Sequence, residues 1–153
     1  MNYEEITELV HSTRSIIFDE EMAHAVTIKG AADYVTKVDL AVQEYMRKEL
    51  KRLTPDVLLL SEEQENRDLD ERKSYWILDP IDGTTNLIHD YRMSAVSLGL
   101  YENGRITFGV VYNPFTEETF HAVRGEGAFL NQRPIGVSHR DALDTCVISF
   151  GSS

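Results

Sequence analysis

Apolar residues recur at three- and four-residue steps from the start of the chain: Ile6, Leu9, Val10, Ile16 and Ile17, with Thr13 in phase and acids between them. That spacing predicts an amphipathic helix over residues 2–23. The pattern breaks around Lys29-Gly30 and resumes in TKVDLAVQEYMRKELKRL, from Thr36 to Leu53. Thr36 and Asp39 have the Ser/Thr-x-x-Asp/Glu spacing of a capping box, and Val42, Tyr45, Met46 and Leu50 form the expected buried stripe. Two antiparallel helices are the expectation.

After Pro55 the period changes. DVLLLSEE and SYWILDP are short apolar runs that end in polar clusters, and both predict buried strands. In SAVSLGLYENGRITFGVVYNP, Val96, Leu98 and Leu100 alternate up to a turn at Asn103-Gly104. The alternation continues through Ile106, Phe108 and Val110, which predicts a β-hairpin. EETFHAVRGEGAFLNQRPI adds another strand and a glycine-punctuated loop, and DTCVISFGSS reads as the start of one more strand. Helices first and strands afterwards predict an α+β fold, with the two antiparallel helices packed on a mainly antiparallel sheet.

The 153 residues suit a single domain with one core, and an apolar content of 42% is ordinary for a globular chain. No apolar run is long enough to cross a membrane. The acidic start, MNYEEITELV, lacks the basic region of a secretory signal, and Cys146 is a lone cysteine. A cytoplasmic setting is therefore expected. A net charge of −11 argues against a broad basic face for nucleic acid. It also means that a phosphate would need a local positive centre, for which a metal ion is the obvious candidate.

Four acids stand where strands run out into loops: Glu62 and Glu63 after LLLS, Asp79 after WIL, and Asp82 beyond Pro80. If the two strands are neighbours, these ends form an oxygen-rich, anionic pocket of the kind that hard cations such as Mg2+ prefer. Like charges so close repel unless a cation lies between them. Pro80 fixes its own φ, so the turn can direct Asp79, Asp82 and the Ile81 carbonyl towards one centre. Gly83 allows close backbone approach, and Gly83-Thr84-Thr85 could open a short helix whose N–H groups face an anion. Blander readings exist for each piece. Asp-Gly is ordinarily a turn, Glu62-Glu63 before QENRDLDER reads as a charged surface loop, and Asp39 suits the first turn of its helix. EF-hand spacing is absent. Only the conjunction points to chemistry.

DPIDGTTN (Asp79–Asn86), preceded by WIL and by an upstream SEE, resembles the signature of the inositol monophosphatase family. DYVTKVD, NLIH, the hairpin sequence and RGEGAFLNQRPI follow the family's order, so the resemblance covers essentially the whole chain. It implies a Mg2+-dependent, lithium-sensitive phosphomonoesterase with the inositol monophosphatase/fructose-1,6-bisphosphatase fold, binding two or three Mg2+ ions. Glu62, Asp79 and the Ile81 carbonyl would be ligands of the first metal, with Asp79 bridging to a second that Asp82 also holds. Thr84, hydrogen-bonded to Asp39, would activate the attacking water, which Glu62 would also hold through the metal. The amides of Gly83 and Thr84, beside Asp82, would bind the phosphate. Glu63 would be the family's second acid, with Ser61 standing where the family has glycine. Asn86 and His89 read as structural. The family is commonly homodimeric, so a homodimer acting on a small phosphorylated sugar or polyol is expected.

The resemblance also implies an absence. The family's second half carries a Trp-Asp motif that completes the second metal site, and the lone tryptophan here, Trp76, is followed by Ile77. Residues 1–153 are therefore expected to be an N-terminal lobe without its C-terminal partner, with an unfinished sheet edge at 147–150. Fructose-1,6-bisphosphatase and nucleotide 3′-phosphatase activity remain alternatives within the fold, as does a non-catalytic metal-binding module that dimerises.

Overall fold

The computed structural model describes residues 1–19, 26–30, 33–61, 70 and 72–148. Helix α1 (Tyr3–Ser12) is followed by a single turn, α2 (Arg14–Ile17). The continuous helix expected over 2–23 is thus interrupted at Thr13, and residues 20–23 lie outside the described residues. The cause is local. Ser12, Thr13 and Ser15 each turn a hydroxyl back onto the carbonyl three residues earlier (Thr13 Oγ1 to Val10 O, 2.6 Å), competing with the helical ladder. Strands β1 (Val26–Gly30) and β2 (Asp33–Thr36) form a small antiparallel pair where the sequence shows only a break.

Helix α3 (Lys37–Leu53) begins at the expected capping box. Thr36 Oγ1 accepts from the Val38 and Asp39 amides, and the Asp39 carboxylate accepts from the Thr36 amide. Its buried face is Val38, Asp39, Val42, Met46 and Leu50, with Tyr45 at the margin. The two long helices run antiparallel: Ser12 meets Tyr45 through hydroxyls 2.8 Å apart, and Glu5 at the other end lies near Arg52.

Among the described residues the main sheet has seven strands in sequential order: β3 (Leu58–Ser61), β4 (Tyr75–Asp82), β5 (Ala95–Glu102), β6 (Arg105–Asn113), β7 (Glu118–Val123), β8 (Gly127–Leu130) and β9 (Arg133–Ile135). All neighbours are antiparallel except β3 and β4, which are parallel. As an edge strand β3 is only half-buried, contrary to the buried strand its apolar run predicts. Asn103 and Gly104 both take positive φ, 52° and 79°, as the tight turn between β5 and β6 requires. Helices and sheet bury one core, in which Val96, Leu98, Leu100, Phe108, Val110 and Tyr112 face Ile6, Val10, Val42 and Met46.

Ile106 departs from the expected alternation. Leu100 pairs with Phe108 but Tyr101 with Ile106, so Thr107 is an extra residue in the ladder. This bulge turns Ile106 out of the core, where it is exposed. The expected last strand also differs: Leu143–Thr145 is a single 3-10 turn, Val147 is 95% exposed, and residues 149–150 lie outside the described residues. Among the described residues no helix is long and apolar enough to cross a membrane.

Phe108 is the keystone of this packing, stacked on Tyr3 at 4.6 Å and edge-on to Trp76 at 6.3 Å. Phe108→Ala is expected to cost about 3–5 kcal/mol of stability, measured as a lowered urea midpoint with an unchanged slope.

Candidate active site

The site gathers at the end of β4, where the register against β5 is irregular. Asp79 pairs with Ser97 but Asp82 with Ala95, so the strand gains one residue across Pro80-Ile81. Both Pro80 and Ile81 are buried, and Asp79 and Asp82 flank them. Asp79 looks onto the sheet face not covered by the helices, in a cavity of about 1000 Å3 that Ser61, Ile77, Ser97 and Val111 also line; its Oδ1 is shut off from solvent. Asp82 is exposed.

The parallel pairing of β3 with β4 sets Ser61 beside Leu78. The residue before Glu62 is therefore opposite the residue before Asp79. β3 thus ends level with Leu78, one residue before Asp79. Glu62 and Glu63 themselves lie outside the described residues. Ser61 is buried and donates to Gln43 Oε1 at 2.6 Å, tying the end of β3 to α3. The hydroxyl at this family-glycine position thus has a partner that the sequence did not reveal.

Gly83 follows at φ 84° and caps the five-residue helix α4 (Thr84–Ile88). A Cβ here would come within 3.0 Å of the Met93 carbonyl and 3.1 Å of Asn86 Nδ2, so glycine answers both a left-handed φ and a close approach. The next residue makes the contact that joins sheet to helix: Thr84 Oγ1 lies 3.1 Å from Asp39 Oδ1 and 3.1 Å from the Ile81 carbonyl. Asp39 is 2% exposed. Its Oδ2 accepts from both the amide and the hydroxyl of Thr36, which leaves Oδ1 for Thr84. Helix capping and contact with Thr84 are therefore simultaneous, on different oxygens of one carboxylate.

Asn86 and His89 differ in role. Asn86 Nδ2 donates to Met93 O at 2.9 Å, while exposed His89 stacks loosely on Tyr91. Ser94, which the sequence did not mark, donates to Gly83 O at 2.9 Å.

Asp39, Ile81 and Thr84 are thus brought into hydrogen-bonding contact, and Asp79 and Asp82 stand on the same strand end. Among the described residues no three His, Cys, Asp or Glu side chains gather as a metal site. The groups that are present (three carboxylates, a carbonyl and a hydroxyl) all offer oxygen, which suits a hard divalent cation. A second cavity, about 1080 Å3, lies elsewhere, between α1 and β6–β8, and none of these residues lines it. Converging chemistry, not volume, marks the site.

Comparison with known proteins gives the family. The model of the inositol monophosphatase family matches residues 3–153. An inositol-1-monophosphatase from Rhizobium meliloti is 41% identical over 135 residues, which cover 88% of this chain and 51% of the relative. A fructose-1,6-bisphosphatase/inositol-1-monophosphatase from Thermotoga maritima is 38% identical over 80% of this chain and 47% of its own length. The solved structure of an IMPase from Thermotoga maritima superposes with a TM-score of 0.83 at 31% identity, covering 95% of this chain and 57% of that one. The chain belongs to the inositol monophosphatase family. It spans about half the length of the relatives it matches.

Gly83→Ala is expected to destabilise the protein by about 1–3 kcal/mol, the scale of an unfavourable left-handed residue, and thermal melting measures the loss.

Proposed function

We propose that this chain is the metal- and phosphate-binding N-terminal lobe of a Mg2+-dependent phosphatase. Its substrate would be a phosphate monoester, inositol monophosphate or a related sugar or polyol phosphate. The observation that carries the reading is the contact of Thr84 with buried Asp39 and the Ile81 carbonyl. Thr84 has one proton and two acceptors within reach. Donating it to Asp39 leaves oxygen lone pairs able to accept a hydrogen bond from a water. As the water oxygen bonds to phosphorus and the ester P–O bond breaks, the water proton passes to Thr84 and the Thr84 proton to Asp39; the departing alkoxide takes a proton from solvent water, and Asp39 returns its own to solvent. No side chain is phosphorylated. Asp39 suits this role because Thr36 already holds its other oxygen, so the acceptor is oriented before substrate arrives.

Glu62, Asp79 and the Ile81 carbonyl would hold one Mg2+, and Asp79 and Asp82 a second. Bound Mg2+ supplies Lewis acidity, lowers the pKa of water and steadies the leaving oxygen. Gly83 and Thr84 amides, with Asp82 beside them, would face the phosphate. The relative named for both fructose-1,6-bisphosphatase and inositol-1-monophosphatase activity favours fructose bisphosphate as the second substrate to test.

Turnover of inositol-1-phosphate with Mg2+ by the full-length phosphatase of which this lobe would be part, with and without lithium, tests the reading; hydrolysis that needs Mg2+ and falls with lithium is expected. No Mg2+-dependent release of phosphate from either ester would overturn it. Asp79→Asn should abolish turnover while circular dichroism and melting stay near wild type, and near-normal rates would remove Asp79 from the metal site. Thr84→Ala should lower the rate by roughly 10²–10⁴-fold, the scale of acid–base assistance. A loss below tenfold would mean that another group orients the water.

A further inference from the structure

We propose that Ser94 is a positioning residue for the candidate site, acting through the peptide that joins Gly83 to Thr84; the catalytic part of this inference rests on the function proposed above. Ser94 stands just before β5, far from Thr84 in sequence, and is 2% exposed. Its hydroxyl donates to the Gly83 carbonyl at 2.9 Å. The Leu87 amide donates to the same carbonyl at 3.1 Å, so two donors converge on one oxygen. A carbonyl held from two directions cannot swing.

That oxygen belongs to the same planar peptide as the Thr84 amide. In a trans peptide the N–H points opposite to the C=O. Pinning the Gly83 oxygen onto Ser94 therefore aims the Thr84 N–H away from the β5 side, and fixes the backbone from which the Thr84 hydroxyl reaches Asp39. A parallel strap runs alongside, from Asn86 Nδ2 to the Met93 carbonyl at 2.9 Å. Between the two straps the loop is exposed and conformationally unusual: Asp90 and Arg92 have φ of 51° and 57°, and the Tyr91 and Met93 side chains lie in solvent. A loop with so little apolar anchorage relies on hydrogen bonds to hold it against Gly83. Ser94 supplies the one that acts on the peptide entering Thr84.

The chemistry of position 94 fits positioning better than packing. Removing the hydroxyl leaves the Gly83 carbonyl its Leu87 donor, so no buried acceptor is orphaned and the general fold should tolerate the change. What is lost is the second direction of restraint.

Ser94→Ala should speed hydrogen exchange of the Leu87 amide by roughly fivefold or more, the worth of one ordinary hydrogen bond, with Met46 and Leu50 in α3 unchanged. In the hydrolysis of inositol-1-phosphate it should lower kcat by about five- to tenfold and leave KM within twofold, because the group it positions acts in the transition state. Ser94→Cys, nearly isosteric but a weak donor, should fall between. Leu87 exchange within twofold of wild type would overturn the proposal, and so would equal loss of protection throughout α3. Faster Leu87 exchange with unchanged kcat in an active enzyme would overturn the catalytic part. If the unsubstituted protein hydrolyses no phosphate ester, it is the functional reading that fails, and the exchange pattern alone then decides whether Ser94 holds the turn.

Discussion

Burying a carboxylate in a protein interior costs several kcal/mol unless its oxygens are met by donors. At Asp39 that requirement organises the surrounding structure. One oxygen takes the amide and hydroxyl of Thr36, which starts α3, and the other takes the hydroxyl of Thr84, beyond the end of β4. The helix cannot begin elsewhere without stranding the charge, and the turn after β4 cannot drift without withdrawing its donor. The cap, worth about 1 kcal/mol on its own, thereby also locates the catalytic candidates.

The sheet end is arranged around the same point. The irregular register at Pro80-Ile81 lets one strand carry Asp79 towards the uncovered face and still deliver Thr84 to the helix side. A regular strand would alternate strictly, and a turn placed one residue earlier would reverse the faces. Gly83 completes the change of direction at a φ that its neighbours leave no room for a side chain to share. The membership of the chain in the inositol monophosphatase family gives this geometry its functional context, and the oxygen-only donor set gives it a physical reason to prefer a hard cation.

Much of this was legible in the sequence because the relevant signals are local. Thr36 and Asp39 announce a capping box, Asn103-Gly104 a hairpin, and DPIDGTT an acid-rich turn. The family resemblance added the Thr84–Asp39 partnership, which no local pattern could have supplied, since the two residues lie in different elements. What escaped was decided by registration or by competition. Thr13 sits in phase with an apolar stripe yet spends its hydroxyl on Val10, and the helix breaks. Ile106 reads as a core residue until the extra Thr107 turns it outward. Ser94 reads as a loop serine; its importance depends on where the Gly83 carbonyl points, and a sequence does not record that.

The parallel alignment of β3 with β4 carries a kinetic implication. Antiparallel neighbours can zip from a short turn, but parallel ones must first close a longer connection, here from Ser61 to Tyr75, at an entropic penalty before any ladder forms. Non-local pairing of that kind is characteristically slow. The β5–β6 hairpin and α3 are assembled from nearby residues and need not wait. The pairing that sets the end of β3 beside β4 would consequently be among the last parts of the described structure to form during folding, so that a nascent chain could hold most of its tertiary structure before β3 reached its place next to Leu78.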